Sequence, residues 1–334
     1  MPKPSSIFAA LTPAELNDFL PEPLLSEVRA LAPEFHLFDP TNRSSDEFNR
    51  ALSEANPEIL LAAWKTPSIP AKLPPRLRYV CYLCGSVKKL VTAEHLAGGL
   101  LVTNWGGSIS RIVAEWALFH TLCGLRRASY WSLAMHTQGA WKRTDTSTAS
   151  LFGRTVGLHG FGMVAREFVR LLSPFGCSIS VHAPDVDAEA ATRWGVRPEP
   201  SLEDLFSKND IIVELAPLIQ ETTGIVTEAL LRRIRKGGVF VNLGRGAVVN
   251  EAGLIAVARE GNVSFGLDVY ALEPLPRDHP LRGLPNVMLT PHIGGPTTDR
   301  RCDAGSFAVK NLVAYACDQP MEAVVTPEVF AVTS

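Results

Sequence analysis

The stretch Thr155 to Pro174, TVGLHGFGMVAREFVRLLSP, constrains the fold more than any other. A short apolar run, Val156-Gly157-Leu158, enters a glycine-dense turn and leaves it as an amphipathic helix. The turn, Gly160-Phe161-Gly162-Met163-Val164-Ala165, has the spacing G-x-G-x-x-A. In that pattern the first glycine permits a tight turn and the second lets the backbone approach a pyrophosphate. A small third residue lets helix and strand pack closely. The helix beyond starts with free N–H donors and the positive end of its dipole, which suit an anion. The same order of strand, turn and helix also serves packing alone, so the motif by itself does not fix a ligand.

The 334 residues suffice for two domains, each with a core. A hydrophobic fraction of 46% with 20% charged residues is that of a soluble globular chain. A net charge of −2 supplies no basic footprint for nucleic acid and no polybasic patch for a membrane. No apolar run approaches bilayer length. The amino-terminal run MPKPSSIFAALTPAEL is too weakly apolar for a secretory signal, so a cytoplasmic protein is expected. Cys81 and Cys84 have C-x-x-C spacing, yet no second pair or nearby His pair completes a zinc set. They sit in the apolar run Leu77 to Val87; reduced core cysteines and no metal are expected.

Before Ser110, short apolar runs alternate with polar or Pro-rich joints. Ile59 to Trp64, Leu77 to Leu83 and Leu100 to Thr103 read as strands buried on both faces, with helices at Leu24 to Ala32 and Thr92 to Gly98. Ser110 to Tyr130 is apolar nearly all round, which predicts one long buried helix between two domains. Gln138 to Ser150 reads as a polar connection. After the glycine turn, strands are expected at Ser178 to Val181, Asp210 to Leu215, Gly238 to Leu243, Val263 to Asp268 and Val287 to Leu289. Helical spacing at Ser201 to Phe206, Thr227 to Arg233 and Glu251 to Glu260 separates them. A last helix is expected at Asp299 to Ala316. Repeated βα alternation implies an α/β chain of doubly wound parallel sheets, with ligands at the carboxyl ends of the strands.

Three residues lie on the loops after expected strands: Arg245, Glu273 and His292. A guanidinium clamps a carboxylate and a carbonyl oxygen bidentately. An imidazole exchanges a proton near neutral pH. A neighbouring carboxylate would favour the protonated imidazole and orient the ring. Singly, each has a structural explanation; together, on loops of one nucleotide-binding sheet, they form a set for reducing a 2-oxo acid.

The motifs Ala114-Glu115, Gly139-Ala140-Trp141, VGLHGFG, Ala216-Pro217-Leu218, NLGRGAVVNE, GLDVYALEP and TPHIGG follow one another in order. In this the chain resembles the D-isomer-specific 2-hydroxyacid dehydrogenase family over nearly its whole length. The resemblance implies two doubly wound parallel-sheet domains, Rossmann- or flavodoxin-like, with a cleft between them. One would be a substrate-binding domain of residues 1–112 plus 297–334, the other a dinucleotide-binding domain of residues 113–296. It further implies Arg245, Glu273 and His292 as the catalytic set and a homodimer. The coenzyme contacts would be Gly160, Phe161, Gly162, Met163, Val164, Asp185, Leu215, Ala216, Pro217, Thr222, Leu243, Gly244, Asp268 and Gly294. Of these, Asp268 would hold the nicotinamide carboxamide, and Ala216-Pro217 would cover the adenosine side. The loop Leu83 to Lys89 departs from the family's glycine-rich turn. Read from its own residues, the amides of Gly85 and Ser86 would bind the substrate carboxylate. Lys88 would meet a further anionic group or be solvated, and Trp64 with Tyr82 would form an apolar wall. The chain departs from the family at Leu215, where relatives carry histidine, and at Ala183, where relatives carry the ribose-binding acid. Loss of that acid weakens selection for NAD, while Asp185 and Asp187 oppose a 2′-phosphate; NAD is expected, with NADP as the alternative. The implied activity is hydride transfer between the coenzyme and a 2-oxo or (R)-2-hydroxy acid. The rivals are an NADPH-dependent glyoxylate or hydroxypyruvate reductase and a non-catalytic NAD(H)-sensing module like the family's corepressors.

Overall fold

The structure, a computed structural model, describes residues 4–144, 146–184 and 186–332. The chain divides into two compact units, one of residues up to Ile109 with those from Pro296 on, the other Ser110–Gly295. Each is built on one parallel sheet.

The first sheet holds β1 (Ser6–Ala10), β2 (Glu34–Phe38), β3 (Ile59–Ala62), β4 (Tyr79–Tyr82) and β5 (Leu101–Thr103), in the order β2-β1-β3-β4-β5. β1, β3 and β4 are buried throughout, as parallel strands covered on both faces must be. β1 and β2 escape the sequence reading for different reasons. SIFAA is short and alanine-rich behind a Pro-rich start, and EFHLF is an edge strand with Glu34 and His36 exposed. Capping boxes start two helices: Thr12 with Glu15 opens Pro13–Phe19, and Ser44 with Glu47 opens Ser45–Ala55. The helix Arg301–Ala316 lies so close to the first of these that a Cβ on Gly305 would fall on the Phe19 carbonyl oxygen, at 1.6 Å.

The second sheet holds β6 (Thr155–His159), β7 (Ser178–His182), β8 (Arg197–Pro198), β9 (Ile211–Glu214), β10 (Val239–Asn242), β11 (Ser264–Leu267) and β12 (Val287–Leu289). Its order is β12-β11-β10-β9-β6-β7-β8, all parallel, and strand order reverses between β6 and β9. The glycine turn therefore lies at the switch point, where ligands of open α/β sheets bind. Beyond it, the helix Met163–Leu172 buries Ala165, Phe168, Val169 and Leu172. Ala165, wholly buried, shares a core with Ala114 and Ala117, so small residues on both helices let them approach. The long helix expected through Tyr130 ends instead at Arg126. Arg127 adopts a left-handed conformation (φ 53°) and a second helix, Ala128–Gln138, follows. Both belong to the second unit, where Ala114, Ala117 and Leu125 join the core of β6, β9 and β10.

Candidate active site

The carboxyl ends of β6, β9 and β10 converge on the backbone of Ala216. Gly160 turns with φ +88°, and a Cβ on it would lie 2.8 Å from the Ala216 nitrogen. On the other side, a Cβ on Gly244 would stand 3.1 Å from the Ala216 carbonyl oxygen. Gly162 caps the helix Met163–Leu172 without a side-chain hydrogen bond, and a Cβ there would meet nothing within 4 Å. The first-turn amides thus face open space, as a pyrophosphate requires. Phe161 turns into the core, edge-on to Trp194 and beneath Arg166, and so offers only its backbone to a ligand. Met163 is exposed, and Val164 packs on the core. The Leu215 N–H donates to the His159 carbonyl, and Thr222 Oγ1 donates to the Pro217 carbonyl at 2.6 Å, folding the segment after β9 over the switch point. Leu243 is buried beneath Gly244. These groups fit a dinucleotide. At the end of β7, Ala183 packs on the core where the family's acid would stand; Asp185 lies outside the described residues.

A buried polar pair underlies this cradle and was not singled out from sequence. His159 and Glu214, register partners at the ends of β6 and β9, are 5% and 0% exposed. His159 Nδ1 donates to Glu214 Oε2 at 2.5 Å, while Glu214 Oε1 accepts the Ala216 N–H at 2.8 Å. In sequence, His159 reads as a residue that packs or hydrogen-bonds locally within the glycine loop, which captures half of this. The other half, Glu214 within the apolar run IIVE, is the signal that was available: a carboxylate in a central strand needs a partner.

Arg245, Glu273 and His292 follow β10, β11 and β12. The turn holding Arg245 packs on the turn leading to Glu273, for a Cβ on Gly246 would fall 1.9 Å from the Tyr270 carbonyl carbon. Glu273 Oε1 accepts the Tyr270 N–H, and Oε2 accepts from His292 Nδ1 at 2.6 Å. Arg245 donates to the Gly244 carbonyl; burial lowers its pKa and the Glu273 charge opposes that shift. His292 itself sits in the left-handed region, φ 54°, a strained position that its loop must enforce. The enforcement comes from Asp268. Its carboxylate, 2% exposed, accepts from Thr290 Oγ1 (2.6 Å) and from the N–H groups of Ile293 (3.0 Å) and Gly294 (2.8 Å). Expected as a ligand for nicotinamide, Asp268 is engaged with the loop around the catalytic-candidate histidine. Gly294 is tight, with a Cβ position 2.6 Å from the Trp116 ring. Thr290 Oγ1 also meets Nε2 of His120, which is fully buried in the helix Ser110–Arg126; burial lowers the His120 pKa to about 4. Because Thr290 spends its proton on Asp268, it accepts from His120, which carries a proton at Nε2, and burial favours the neutral form of that ring. His120 was legible only as a lone polar residue in an apolar helix.

In the first unit, Gly85 and Ser86 follow β4, and neither backbone N–H has a hydrogen-bond partner among the described residues. Lys88 points elsewhere in that unit: its ammonium lies over the Phe330 ring at 5.8 Å. Trp64, two residues beyond β3, is half exposed. Cys81 and Cys84 are buried and free, and burial pushes the Cys81 thiol up to about 11. Among the described residues, no three His, Cys, Asp or Glu side chains gather as metal ligands. A cavity of about 480 Å³ beside Arg127, Lys236 and Asn262 opens toward the amino ends of β10–β12, the wrong end of the sheet for this chemistry.

Residues 118–294 match the model of the D-isomer specific 2-hydroxyacid dehydrogenase NAD binding domain. The glyoxylate reductase of Aeropyrum pernix is 32% identical over 251 residues, 72% of this chain and 74% of that one. The chain belongs to the D-isomer specific 2-hydroxyacid dehydrogenase family. It is accordingly an NAD(P)-dependent oxidoreductase of 2-oxo and 2-hydroxy acids. The D-3-phosphoglycerate dehydrogenase of Mycobacterium bovis is 31% identical over 270 residues, covering 80% of this chain but 50% of that longer family member. In fold, D-mandelate dehydrogenase of Rhodotorula graminis superposes with a TM-score of 0.83 at 23% identity, with both chains covered in full.

Proposed function

We propose that this dehydrogenase reduces a 2-oxo acid with NADH to the (R)-2-hydroxy acid, using Arg245, Glu273 and His292. The observation that carries the reading is the 2.6 Å link of Glu273 to His292 Nδ1, on a loop next in line to that of a half-buried guanidinium and at the carboxyl ends of adjacent strands. When bound, the coenzyme supplies the hydride, or accepts it in the reverse direction, at nicotinamide C4. Arg245 grips the substrate's carboxylate and carbonyl oxygens and stabilises charge developing on the latter. Glu273 holds Nδ1–H, which leaves His292 Nε2 to hand its proton to the carbonyl oxygen. NADH, a proton and the 2-oxo acid thus become NAD and the 2-hydroxy acid. The first unit serves as the substrate-binding domain, with unpartnered amides at Gly85 and Ser86 that suit a carboxylate. The second serves as the dinucleotide-binding domain, through the residues around Gly160, Ala216 and Gly244, with NADP the second choice.

Asp268 acts in this scheme by hanging the His292 loop. The complete Arg, Glu and His set favours catalysis over nucleotide sensing. A homodimer is supported by the exposed apolar side chains Leu133, Met135, Trp141 and Phe152. A reducing, cytoplasmic setting is supported by the free cysteines; no helix of the described residues is long and apolar enough to cross a membrane. The test is oxidation of NADH and NADPH with glyoxylate, hydroxypyruvate, pyruvate, phenylpyruvate and 2-oxoglutarate. His292→Ala is expected to lower kcat about 100-fold or more while NADH binding, read by fluorescence, persists. Near-normal turnover would remove His292 from the proton transfer.

A further inference from the structure

The five-stranded sheet has its own reversal of strand order, between β1 and β3, and ligands gather beyond strand ends at such points. A crevice of about 550 Å³ opens there, lined by Glu15, Thr41, Trp64, Lys65 and Arg301 among others. Its acidic group makes no demand on a ligand. The Glu15 carboxylate, 5% exposed, already accepts from the N–H and hydroxyl of Thr12 and from the Lys65 N–H. Arg301 is likewise engaged: Asp18 holds it at 2.6 Å, and its guanidinium lies 5.1 Å over the Trp64 ring.

What remains on offer is aromatic surface. Trp64 is 43% exposed although Phe19 packs on it at 5.2 Å and Trp105 meets it edge-on at 6.0 Å. Trp105 closes in turn on Gly85, where a Cβ would lie 2.9 Å from the indole. The two indoles therefore form a shelf running from the free amides of Gly85 and Ser86 to the crevice. Resting on the dehydrogenase reading above, we propose that this shelf selects 2-oxo acids with an aromatic side chain, and that Trp64 is the specificity-determining residue. With the carboxylate on the amides, an aryl group lies along the shelf and gains ring-on-ring contact with Trp64. Glyoxylate, with hydrogen in place of a side chain, gains none.

The experiment compares kcat/KM of the wild type, Trp64→Ala and Trp64→Phe for phenylpyruvate, glyoxylate and 2-oxoglutarate with NADH. Phenylpyruvate is expected to lead in the wild type. Trp64→Ala should reduce the preference for phenylpyruvate over glyoxylate by about tenfold, a change typical of a lost side-chain contact, and Trp64→Phe should restore most of it. Equal losses on both acids would mark Trp64 as structural only and overturn the proposal. A wild-type preference for 2-oxoglutarate would hand the crevice to Lys65 and overturn it too. Turnover of glyoxylate without phenylpyruvate overturns this proposal alone, whereas no turnover of any acid overturns the dehydrogenase reading with it.

Discussion

At the scale of single residues, the catalytic candidates are less buried than the groups that hold them. Glu273 and His292 lie partly open, while Asp268, Thr290 and His120 beneath them are buried and tied to one another. His120 gives this undercarriage a measurable acid sensitivity. Its pKa falls from 6.5 to about 4 in the folded chain because burial penalises the charged ring. Between those values the unfolded chain binds the proton and the folded chain does not, so stability drops as pH falls from 6.5 toward 4 and levels off below. The gap amounts to roughly 3 kcal/mol, since a pKa unit is worth about 1.4 kcal/mol. Denaturant melts of wild type and His120→Gln across pH 4–7 check this. The wild type should lose stability more steeply; parallel curves would place the acid sensitivity in another group.

At the scale of elements, the His159–Glu214 pair stitches β6 to β9 where the sheet reverses its order. Glu214→Leu alone strands a buried histidine and is expected to cost about 3 kcal/mol. The double change His159→Ile with Glu214→Leu should recover most of that, as well-packed apolar substitutes for buried ion pairs do. It leaves the Ala216 N–H without its acceptor, however, so the Kd for NADH should remain raised. Urea melts beside NADH titrations separate the two effects; normal NADH affinity in the double variant would show that the pair serves stability alone. The same elements show what sequence discloses. β6, β9, β10 and β11 were legible because both of their faces are buried and their apolar runs are unbroken. The edge strand β2 was not, because exposed Glu34, His36 and Leu37 erase any periodic signal. The break at Arg127 was hidden for another reason: a left-handed arginine between two helices has no composition of its own, and only tertiary packing selects it. Of the candidate site, Arg245, Glu273 and His292 could be read from their places after strands. The hold of Asp268 on the histidine loop could not, because it joins residues 22 to 26 positions apart through one hydroxyl and two backbone amides, the latter present in any sequence.

At the scale of the whole molecule, the exposed side chains Leu133, Met135, Trp141 and Phe152 all fall on the Ala128–Gln138 helix and the segment between it and β6. Light scattering should give the wild type twice the chain mass of 36.2 kDa. Leu133→Glu with Met135→Glu should shift it to single chains, since charge in the core of an apolar interface opposes association. A wild type that runs as single chains at all concentrations would remove the dimer from the proposed function.

The two glycines of the turn after β6 answer to different masters. Position 160 is dictated from within, by a positive φ and a neighbour's backbone under 3 Å away. Position 162 has empty room where a methyl group would go. Alanine at 160 injures the fold; alanine at 162 leaves it intact and intrudes only on a guest. A lineage that abandoned its nucleotide would keep the first glycine and let the second drift, so position 162 alone records whether a guest is still expected.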